Sequence, residues 1–222
     1  VAYNLNLRAD VLLAMGETSE ALRNAKQALA ILETRFGKSH LEVGYMLNTI
    51  AKIKAERKNH PESIRLYQRG IEILTTHQSS NGFFLALPHA ELGDVFLQTG
   101  DKKRARHHID EADRILTMQK SKAIPTIAFV QYGRAKLNLA EKRDQLALEH
   151  FRQAVSLCQG NRCNALDHAR LLFDYARTLL PTDRASAIQY AQQAKARYDA
   201  IDGHKADSTA VTKWLKRTLA GK

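Results

Sequence analysis

The sequence predicts an all-α fold, a right-handed superhelical solenoid of about five antiparallel helix pairs with a C-terminal capping helix. Small residues return every 42 positions at the same point of a helical pattern, namely Ala21, Ser63, Ala105 and Ala147. A period of this length is typical of repeat arrays. The composition agrees, because 44% of the residues are hydrophobic and only 7% aromatic, with 11 glycines and 4 prolines.

The residues around these small positions support helix pairing. Ser63 is followed four places on by the bulky Tyr67 and three further by the small Gly70, and an apolar stripe that includes Leu47 and Ile50 precedes it. Small residues facing large ones allow two helices to approach closely. We therefore expect each repeat to be one pair of packed helices.

The repeat pattern places the five pairs and the cap along the chain. The pairs are expected near residues 2–35, 40–76, 83–119, 124–158 and 164–201, and the cap at 205–219. The individual helices are expected at 2–15, 18–35, 40–57, 61–76, 83–99, 101–119, 124–141, 144–158, 164–180, 182–201 and 205–219. Gly16 and Gly100 should end first helices, Asp101 should cap the next helix, and Pro61 and Pro181 fit first-turn positions. We expect loops at 36–39, 77–82, 119–124 and 159–164.

The chain is expected to form a single repeat domain over residues 1–222, because no Ser/Gly-rich linker divides it. It begins with Val1 and enters a helix directly, so we expect a fragment of a longer protein. No apolar run approaches the roughly 20 residues that cross a bilayer, and no signal segment is visible at the N-terminus. We expect no membrane insertion and a cytoplasmic location.

The formal net charge of +11 raises the question of nucleic-acid binding. Residues 1–36 carry four basic and four acidic side chains, whereas 205–222 carry five basic and one acidic. The densest basic run, Lys102-Lys103-Arg104, lies beside several carboxylates. A dedicated site usually gathers basic and aromatic residues on one face. Because the charge is spread, we expect no nucleic-acid partner.

Signatures of catalysis and of cofactor binding are missing. The chain has no glycine-rich phosphate loop, no kinase catalytic motif and no distinguishable Ser/His/Asp arrangement. His107 and Glu111 lie one helical turn apart, but no second chelating pair stands at a recognisable spacing. We expect that this segment is not an enzyme and binds neither metal nor cofactor.

The two cysteines permit two interpretations. Cys158 and Cys163 are five residues apart across a loop that contains Gly160, so they can form a disulfide if the loop folds back. Two cysteines without a Cys-x-x-C motif or a secretory signal more often stay free in a reducing compartment. We therefore expect free thiols.

The stretch from Ala28 to Leu74 resembles the tetratricopeptide repeat, more narrowly its longer kinesin-light-chain-like variety. The segments that carry the resemblance are Phe36-Gly37-Lys38-Ser39-His40, Leu47-Asn48-Thr49-Ile50-Ala51 and Leu66-Tyr67-Gln68-Arg69-Gly70-Ile71. The repeat is about eight residues longer than the usual 34-residue unit. The resemblance extends over almost the whole chain and departs from the usual aromatic at Ala25 and Ala191.

This resemblance implies a concave groove, lined by the first helices of the pairs, in which a peptide or partner helix lies. Residues three or four apart share a helix face, so the groove residues can be named. They are Tyr3, Asn6, Asp10, Tyr45, Asn48, Lys52, Glu91, Asp94, Tyr132, Lys136, Phe173 and Arg177. Amides can pair with a peptide backbone, and the cations can receive acidic or phosphorylated side chains. Asp10 would repel a terminal carboxylate, which argues against a chaperone-tail clamp.

Three hypotheses for function follow. The first is a non-catalytic scaffold that binds a protein or peptide, or an upstream domain of its own polypeptide, in this groove. The second is the C-terminal regulatory region of a bacterial signalling kinase, since Ala185 to Ala220 resembles the end of repeat regions attached to eukaryotic-type serine/threonine kinases. The third is the sensor region of a transcription regulator. For all three hypotheses one alternative stays open, which is that the named groove residues are ordinary solvated side chains and the ligand binds elsewhere.

Overall fold

The computed structural model describes residues 1–77 and 82–221, and every regular element in them is helical. The predicted all-α fold of five helix pairs and a final helix is confirmed there. The helices are α1 (Ala2–Ala14), α2 (Thr18–Phe36), α3 (Leu41–Glu56), α4 (His60–Thr76), α5 (Ala86–Gln98), α6 (Lys102–Met118), α7 (Ile124–Ala140), α8 (Asp144–Leu157), α9 (Ala165–Leu179), α10 (Arg184–Asp199) and α11 (Lys205–Leu219).

Capping side chains explain where several helices begin. The Asn59 Oδ1 accepts a hydrogen bond from the backbone N–H of Glu62, and the Asp101 Oδ1 accepts one from Arg104. Such caps satisfy backbone donors that a helix cannot pair internally. Gly16 and Gly100 have φ of 78° and 82°, the left-handed conformation that ends α1 and α5 at glycine.

Three sequence expectations about element starts have a definite outcome. Pro61 lies in the first turn of α4, as expected. Pro181 does not open a helix, because the Asp183 Oδ1 accepts from the Ser186 N–H and α10 begins only at Arg184. A short 3-10 helix, Gly82–Leu85, precedes α5, which starts later than expected. The loop expected at 77–82 falls largely on 78–81, outside the described residues.

The chain divides into two compact units, and the first spans Val1–Ser121. It contains three helix pairs, α1 with α2, α3 with α4 and α5 with α6. The small repeat residues Ala21, Ser63 and Ala105 are fully buried between the paired helices. The Ser63 Oγ donates a hydrogen bond of 2.8 Å to the Ala51 carbonyl, so this polar residue is satisfied within the pair.

The second unit spans Lys122–Lys222 and holds the pairs α7 with α8 and α9 with α10, followed by α11. Ala147, Phe151 and Ala154 are completely buried in its core. The final helix packs against α10 through Val211 and Leu215, and the Arg184 guanidinium donates to the Thr218 carbonyl. The expected capping helix at 205–219 is therefore present at those residues.

The expectation of free thiols is wrong, because Cys158 and Cys163 form a disulfide. The loop between α8 and α9 turns back through Gly160 and Asn161, whose φ angles of 67° and 60° are left-handed. This turn brings the two Cα atoms to 5.0 Å, within the usual range for a disulfide.

In the described ranges no helix is both long and apolar enough to span a membrane. Over the same residues, no group of three or more His, Cys, Asp or Glu side chains is arranged to hold a metal ion.

Candidate functional site

Two asparagines occupy the same repeat position on consecutive first helices of the first unit. Asn6 lies on α1 and Asn48 lies on α3, 42 residues later. The Asn48 side chain is buried, with 7% of the residue exposed, and neither its Oδ1 nor its Nδ2 has a hydrogen-bond partner. The Oδ1 of Asn6 is also buried and unpartnered. A buried polar group left unpaired costs about 1–3 kcal/mol. The Nδ1 of His60 in the same unit is also buried without a partner, but Asn48 alone in this unit has two such side-chain atoms among the described residues.

Gly70 on α4 creates the space in which the Asn48 amide lies. A Cβ at residue 70 would stand 2.2 Å from the Asn48 Oδ1 and 2.9 Å from the Gly44 carbonyl oxygen. Alanine occupies this position in other repeats, at Ala28, Ala112 and Ala154, and this includes the first repeat, whose α1 carries Asn6. The pairing of Asn48 with glycine therefore belongs to this one repeat.

A chain of polar contacts continues one helical turn beyond Asn48. The Lys52 Nζ lies 3.4 Å from the Glu91 Oε1, and the Tyr67 hydroxyl donates to the Glu91 Oε2 at 3.3 Å. Burial raises the pKa of Tyr67 well above its ordinary value, and the negative charge of Glu91 adds to this shift. The phenol on α4 is therefore a fixed donor to the Glu91 carboxylate of α5, which also contacts Lys52 on α3.

Two further carboxylates belong to the predicted face of the first unit. Asp10 is exposed as a residue, yet desolvation raises the pKa of its carboxyl group, and the positive charge of Lys52 opposes that shift. The Asp94 Oδ2 accepts a hydrogen bond of 2.9 Å from Gln98, and its charge also raises the pKa of Tyr67. Lys52 thus interacts with an anionic neighbourhood.

The tyrosines of this unit differ in exposure. Tyr3 is 77% exposed on α1. Tyr45 on α3 is half-buried and packs edge-on against Phe84, with 5.8 Å between the ring centroids. Burial raises the pKa of Tyr45, and Glu42 contributes in the same direction. Apolar contact area is therefore available beside the two asparagines.

The corresponding position of the second unit carries aromatic residues. Tyr132 on α7 is 7% exposed, and its hydroxyl donates a hydrogen bond of 2.6 Å to the Asp174 Oδ2 on α9. The Lys136 Nζ lies 4.2 Å from the centroid of the Tyr132 ring, a cation–π distance. Tyr132 thus connects two first helices.

The same pattern continues along α9 and α11. The rings of Phe173 and Trp214 meet edge to face with centroids 5.8 Å apart. The Arg177 guanidinium lies 5.9 Å from the Phe173 ring centroid and 3.7 Å from the Asp174 carboxylate. In this unit each residue at the groove position therefore contacts a side chain of another helix, Tyr132 reaching α9 and Phe173 reaching α11.

The structure connects some of the predicted groove residues, and their role in binding stays a prediction. Lys52 contacts Glu91, Tyr132 contacts Lys136, and Phe173 contacts Arg177. The sequence interpretation missed Tyr67, Asp174 and Trp214 as partners of these residues. A signal was present for two of them, because Tyr132 and Asp174 are 42 residues apart and Phe173 and Trp214 are 41 apart.

Comparison with known proteins agrees with this architecture. The family model described as the tetratricopeptide repeat matches residues 1–76, which include the first two helix pairs. No curated protein matches the sequence.

Solved structures of low sequence identity share the fold. A putative kinesin light chain of Podospora anserina with nearly identical TPR-like repeats is 16% identical, with 88% of this chain and 93% of that chain covered and a TM-score of 0.60. BtubC (BKLC) from P. vanneervenii is 15% identical, with 88% and 79% covered and a TM-score of 0.62. The Rap conjugation gene regulator of plasmid pLS20, in complex with the Phr* peptide, is 14% identical, with 99% and 62% covered and a TM-score of 0.78.

Proposed function

We propose that this chain is a non-catalytic protein-interaction scaffold, and that Asn6 and Asn48 in its first unit bind the backbone of a peptide. The observation that carries the proposal is the buried, unpartnered amide of Asn48 together with the buried, unpartnered Oδ1 of the half-buried Asn6 at the same position of the preceding repeat. A native structure seldom leaves such groups unpaired without a reason. A ligand that pairs with them would recover the cost of their desolvation.

The chemistry of the asparagine side chain suits a peptide backbone. Each amide offers an N–H donor and a carbonyl acceptor, which together match the C=O and N–H of one peptide unit. This pairing does not depend on the side chains of the ligand. Tyr3 and Tyr45 supply apolar contact area close by, at low entropy cost. The Rap regulator, whose fold is similar, was solved with a bound peptide, which supports the same use of this fold.

The proposal is tested by selecting random nonapeptides displayed on phage against the purified chain, and by measuring the affinity of the enriched peptides for variants. Asn48→Ala should weaken binding by about five- to 150-fold, because about 1–3 kcal/mol of paired hydrogen bonds are lost. Asn24→Ala is the matched control, since Asn24 is a buried asparagine of the same unit whose amide already donates to the Glu20 carbonyl.

Two outcomes would contradict the proposal. The first is that no peptide is enriched over an unrelated helical protein. The second is that Asn48→Ala and Asn24→Ala bind the enriched peptides as tightly as the unaltered chain. Loss of binding in both variants would point to a general loss of folding, which circular dichroism of the same samples detects.

The context of this module stays a proposal in three respects. The chain could be the C-terminal regulatory region of a bacterial signalling kinase and bind an upstream domain of the same polypeptide. This proposal requires kinase motifs in the upstream reading frame. A sensor role in a transcription regulator is supported by the similarity to the Rap conjugation gene regulator. A cytoplasmic location requires that Cys158 and Cys163 are found reduced in cells, since that compartment keeps thiols reduced; alkylation without prior reduction measures this.

A further inference from the structure

The excess of positive charge in this chain lies mainly in the second unit. Residues 122–222 carry 17 basic and nine acidic side chains, whereas residues 1–121 carry 17 basic and 14 acidic ones. Within the second unit, two stretches contain no carboxylate side chain, namely 184–198 and 208–222. They make up most of α10 and most of α11. Most of the excess therefore belongs to the last two helices.

Contacts at both ends show that α10 and α11 run in opposite directions. At one end the Ser208 hydroxyl donates to the Asp199 carboxylate, and at the other the Arg184 guanidinium donates to the Thr218 carbonyl. The C-terminal half of α11 therefore lies beside the N-terminal half of α10. Asp199 is at the far end, since Ser208 precedes Thr218 by about 15 Å of helix, and the loop that contains Asp202 is there too.

The C-terminal half of α11 presents three cations on one exposed face. Lys216 and Arg217 follow Lys213 by three and four residues, so the three side chains project from the same side of the helix, and all three are exposed. In the part of the chain that the structure describes, none of these side chains forms an ion pair. The opposite side of α11, with Val211 and Leu215, is buried against α10, which fixes the charged side outward.

The carboxylates nearest in sequence to these cations have partners within the unit. The Asp183 Oδ1 accepts from the Ser186 N–H at the start of α10, and the hydrogen bonds from Ser186 lower the pKa of Asp183. The Asp207 Oδ2 lies 2.7 Å from the His204 Nδ1. Asp207 also precedes Lys213 by six residues, which places it about 120° round the helix. The three cations are therefore open to an anion from outside the chain.

The residues around the cations indicate the kind of anion. Next to Lys213 the exposed face carries the small residues Thr209 and Ala210, and Trp214 packs against Phe173. Protein interfaces usually depend on aromatic or apolar anchors at their centre, which this face does not offer. Because the apolar side of α11 is buried, the helix cannot insert that side into a lipid surface. Charge without apolar anchors suits a DNA duplex, which carries one phosphate charge per about 1.7 Å of its axis.

We propose that the basic face of α11, formed by Lys213, Lys216 and Arg217, binds the phosphate backbone of double-stranded DNA. Arg184, at the C-terminal end of the same helix, adds a fourth cation. This site goes beyond the proposed peptide binding and does not depend on the asparagines of the first unit. It revises the sequence-based expectation of no nucleic-acid partner, because only the fold brings two carboxylate-free stretches side by side. Binding of this kind is independent of base sequence and weakens steeply with salt.

Fluorescence anisotropy of a labelled DNA duplex of about 20 base pairs tests the proposal, at salt concentrations between about 50 and 200 mM. The basic-face variant combines Lys213→Gln, Lys216→Gln and Arg217→Gln. The matched control removes the same charges from the densest basic run of the sequence and combines Lys102→Gln, Lys103→Gln and Arg104→Gln. That run differs from the basic face because the Arg104 Nε lies 2.6 Å from the Asp101 Oδ2. Circular dichroism checks the folding of both variants.

We expect the logarithm of the association constant to fall with the logarithm of the salt concentration, with a slope near −3.6 for about four phosphate contacts. The basic-face variant should lower the magnitude of this slope by about 2.7 and weaken binding more than tenfold at the lowest salt. The control should weaken binding less than threefold and keep the slope. The single variant Lys213→Gln leaves the cations of the last turn in place and should lower the slope by about 0.9, which keeps the test valid if the triple variant loosens the end of α11.

Four results would overturn the inference. They are absence of duplex binding at the lowest salt, equal weakening by the basic-face variant and the control, tighter binding of a single strand of the same length, and displacement of the duplex by polyglutamate of similar charge as effectively as by unlabelled duplex. The last result would assign the basic face to an acidic protein. Loss of both affinity and salt dependence in the basic-face variant alone supports the site, whatever the peptide-binding experiments give.

Discussion

The two units of this chain use the same repeat position in opposite ways. In the first two repeats of the first unit the position holds Asn6 and Asn48, which have buried side-chain atoms without partners, and in the third repeat it holds Ala90. In the second unit the position holds Tyr132, which contacts α9 through Asp174, and Phe173, which contacts the final helix α11 through Trp214. One row leaves hydrogen-bonding capacity unused, and the other satisfies it within the unit.

Under the proposed function, this difference separates residues that stabilise the fold from residues that bind a peptide. A hydrogen bond between Tyr132 and a carboxylate stabilises the fold by joining α7 to α9. An unpaired Asn48 stabilises nothing in the free chain and is retained at a cost. Repeat proteins hold their fold through core residues such as Ala147 and Phe151, so a groove position is free to serve either purpose.

The largest effect is expected from Gly70→Ala, which removes the space for the Asn48 amide. The new Cβ would lie 2.2 Å from the Asn48 Oδ1 and 2.9 Å from the Gly44 carbonyl, so α3 and α4 must separate. Overpacking of this kind costs about 1–3 kcal/mol, and the better helix propensity of alanine returns about 1 kcal/mol. The cost should lie near the upper end of that range because one of the two contacts is with backbone, so we expect a net loss near 2 kcal/mol, measured by urea unfolding followed by circular dichroism.

A double-mutant cycle sharpens this prediction. Gly70→Ala combined with Asn48→Ala removes the contact with the amide and keeps the contact with the Gly44 backbone, so about half of the lost stability should return. If Gly70→Ala alone unfolds at the same urea concentration as the unaltered chain, the glycine does not serve the asparagine, and the contrast between the units loses its structural basis.

The sequence predicted the helices well and the contacts at the groove position poorly. The 42-residue period and the apolar stripes placed every helix within two residues, except the start of α5, where the 3-10 helix Gly82–Leu85 intervenes. Periodicity reports which face of a helix is buried, and burial is what determines a helix in a repeat array. It does not report what a polar residue on the other face contacts.

The burial of Asn48 and the disulfide of Cys158 show why the sequence pattern could not predict such contacts. The burial of Asn48 depends on the missing side chain of Gly70, 22 residues away, and the glycine fits the small-residue pattern equally well without any asparagine. The disulfide depends on the left-handed turn at Gly160 and Asn161, whereas composition alone favoured free thiols. Both outcomes follow from three-dimensional proximity that spacing leaves open.

A smaller effect, of opposite sign in the two units, is expected from removing the polar atoms at the shared position. Tyr132→Phe deletes a hydrogen bond to a carboxylate and should destabilise the second unit by about 1.5 kcal/mol. Asn48→Ala deletes an unpartnered amide and should leave the first unit unchanged or up to about 1 kcal/mol more stable.

The fluorescence of Trp214 allows the stability of the second unit to be measured separately from that of the whole chain. It is the single tryptophan of the chain and lies on α11, so its fluorescence reports unfolding of the second unit, while circular dichroism reports both. Tyr132→Phe should lower the midpoint seen by fluorescence, and Asn48→Ala should not. Destabilisation of similar size by both variants would show that the two rows do not differ in the way described.

The smallest expected effect is a loss of stability of the second unit at acid pH, and it arises from a buried histidine. Burial lowers the pKa of His168 to about 4, and the charge of Arg197 acts in the same direction. Between that value and the ordinary pKa near 6.5, the unfolded chain binds a proton that the folded chain excludes. The contribution of neutral His168 to stability is therefore complete above about pH 6.5 and falls as the pH drops towards 4.

We expect the second unit to lose about 1 kcal/mol of stability between pH 7 and pH 5.5 through this residue, read as a shift of the Trp214 fluorescence midpoint in urea. His168→Phe should remove most of that shift, whatever its effect at pH 7, because phenylalanine does not titrate. The first unit provides an internal control. His108, whose pKa burial also lowers to about 4, is present in both proteins, so the acid response seen by circular dichroism should persist in part. An unchanged fluorescence shift in the variant would assign the acid sensitivity of the second unit to other groups.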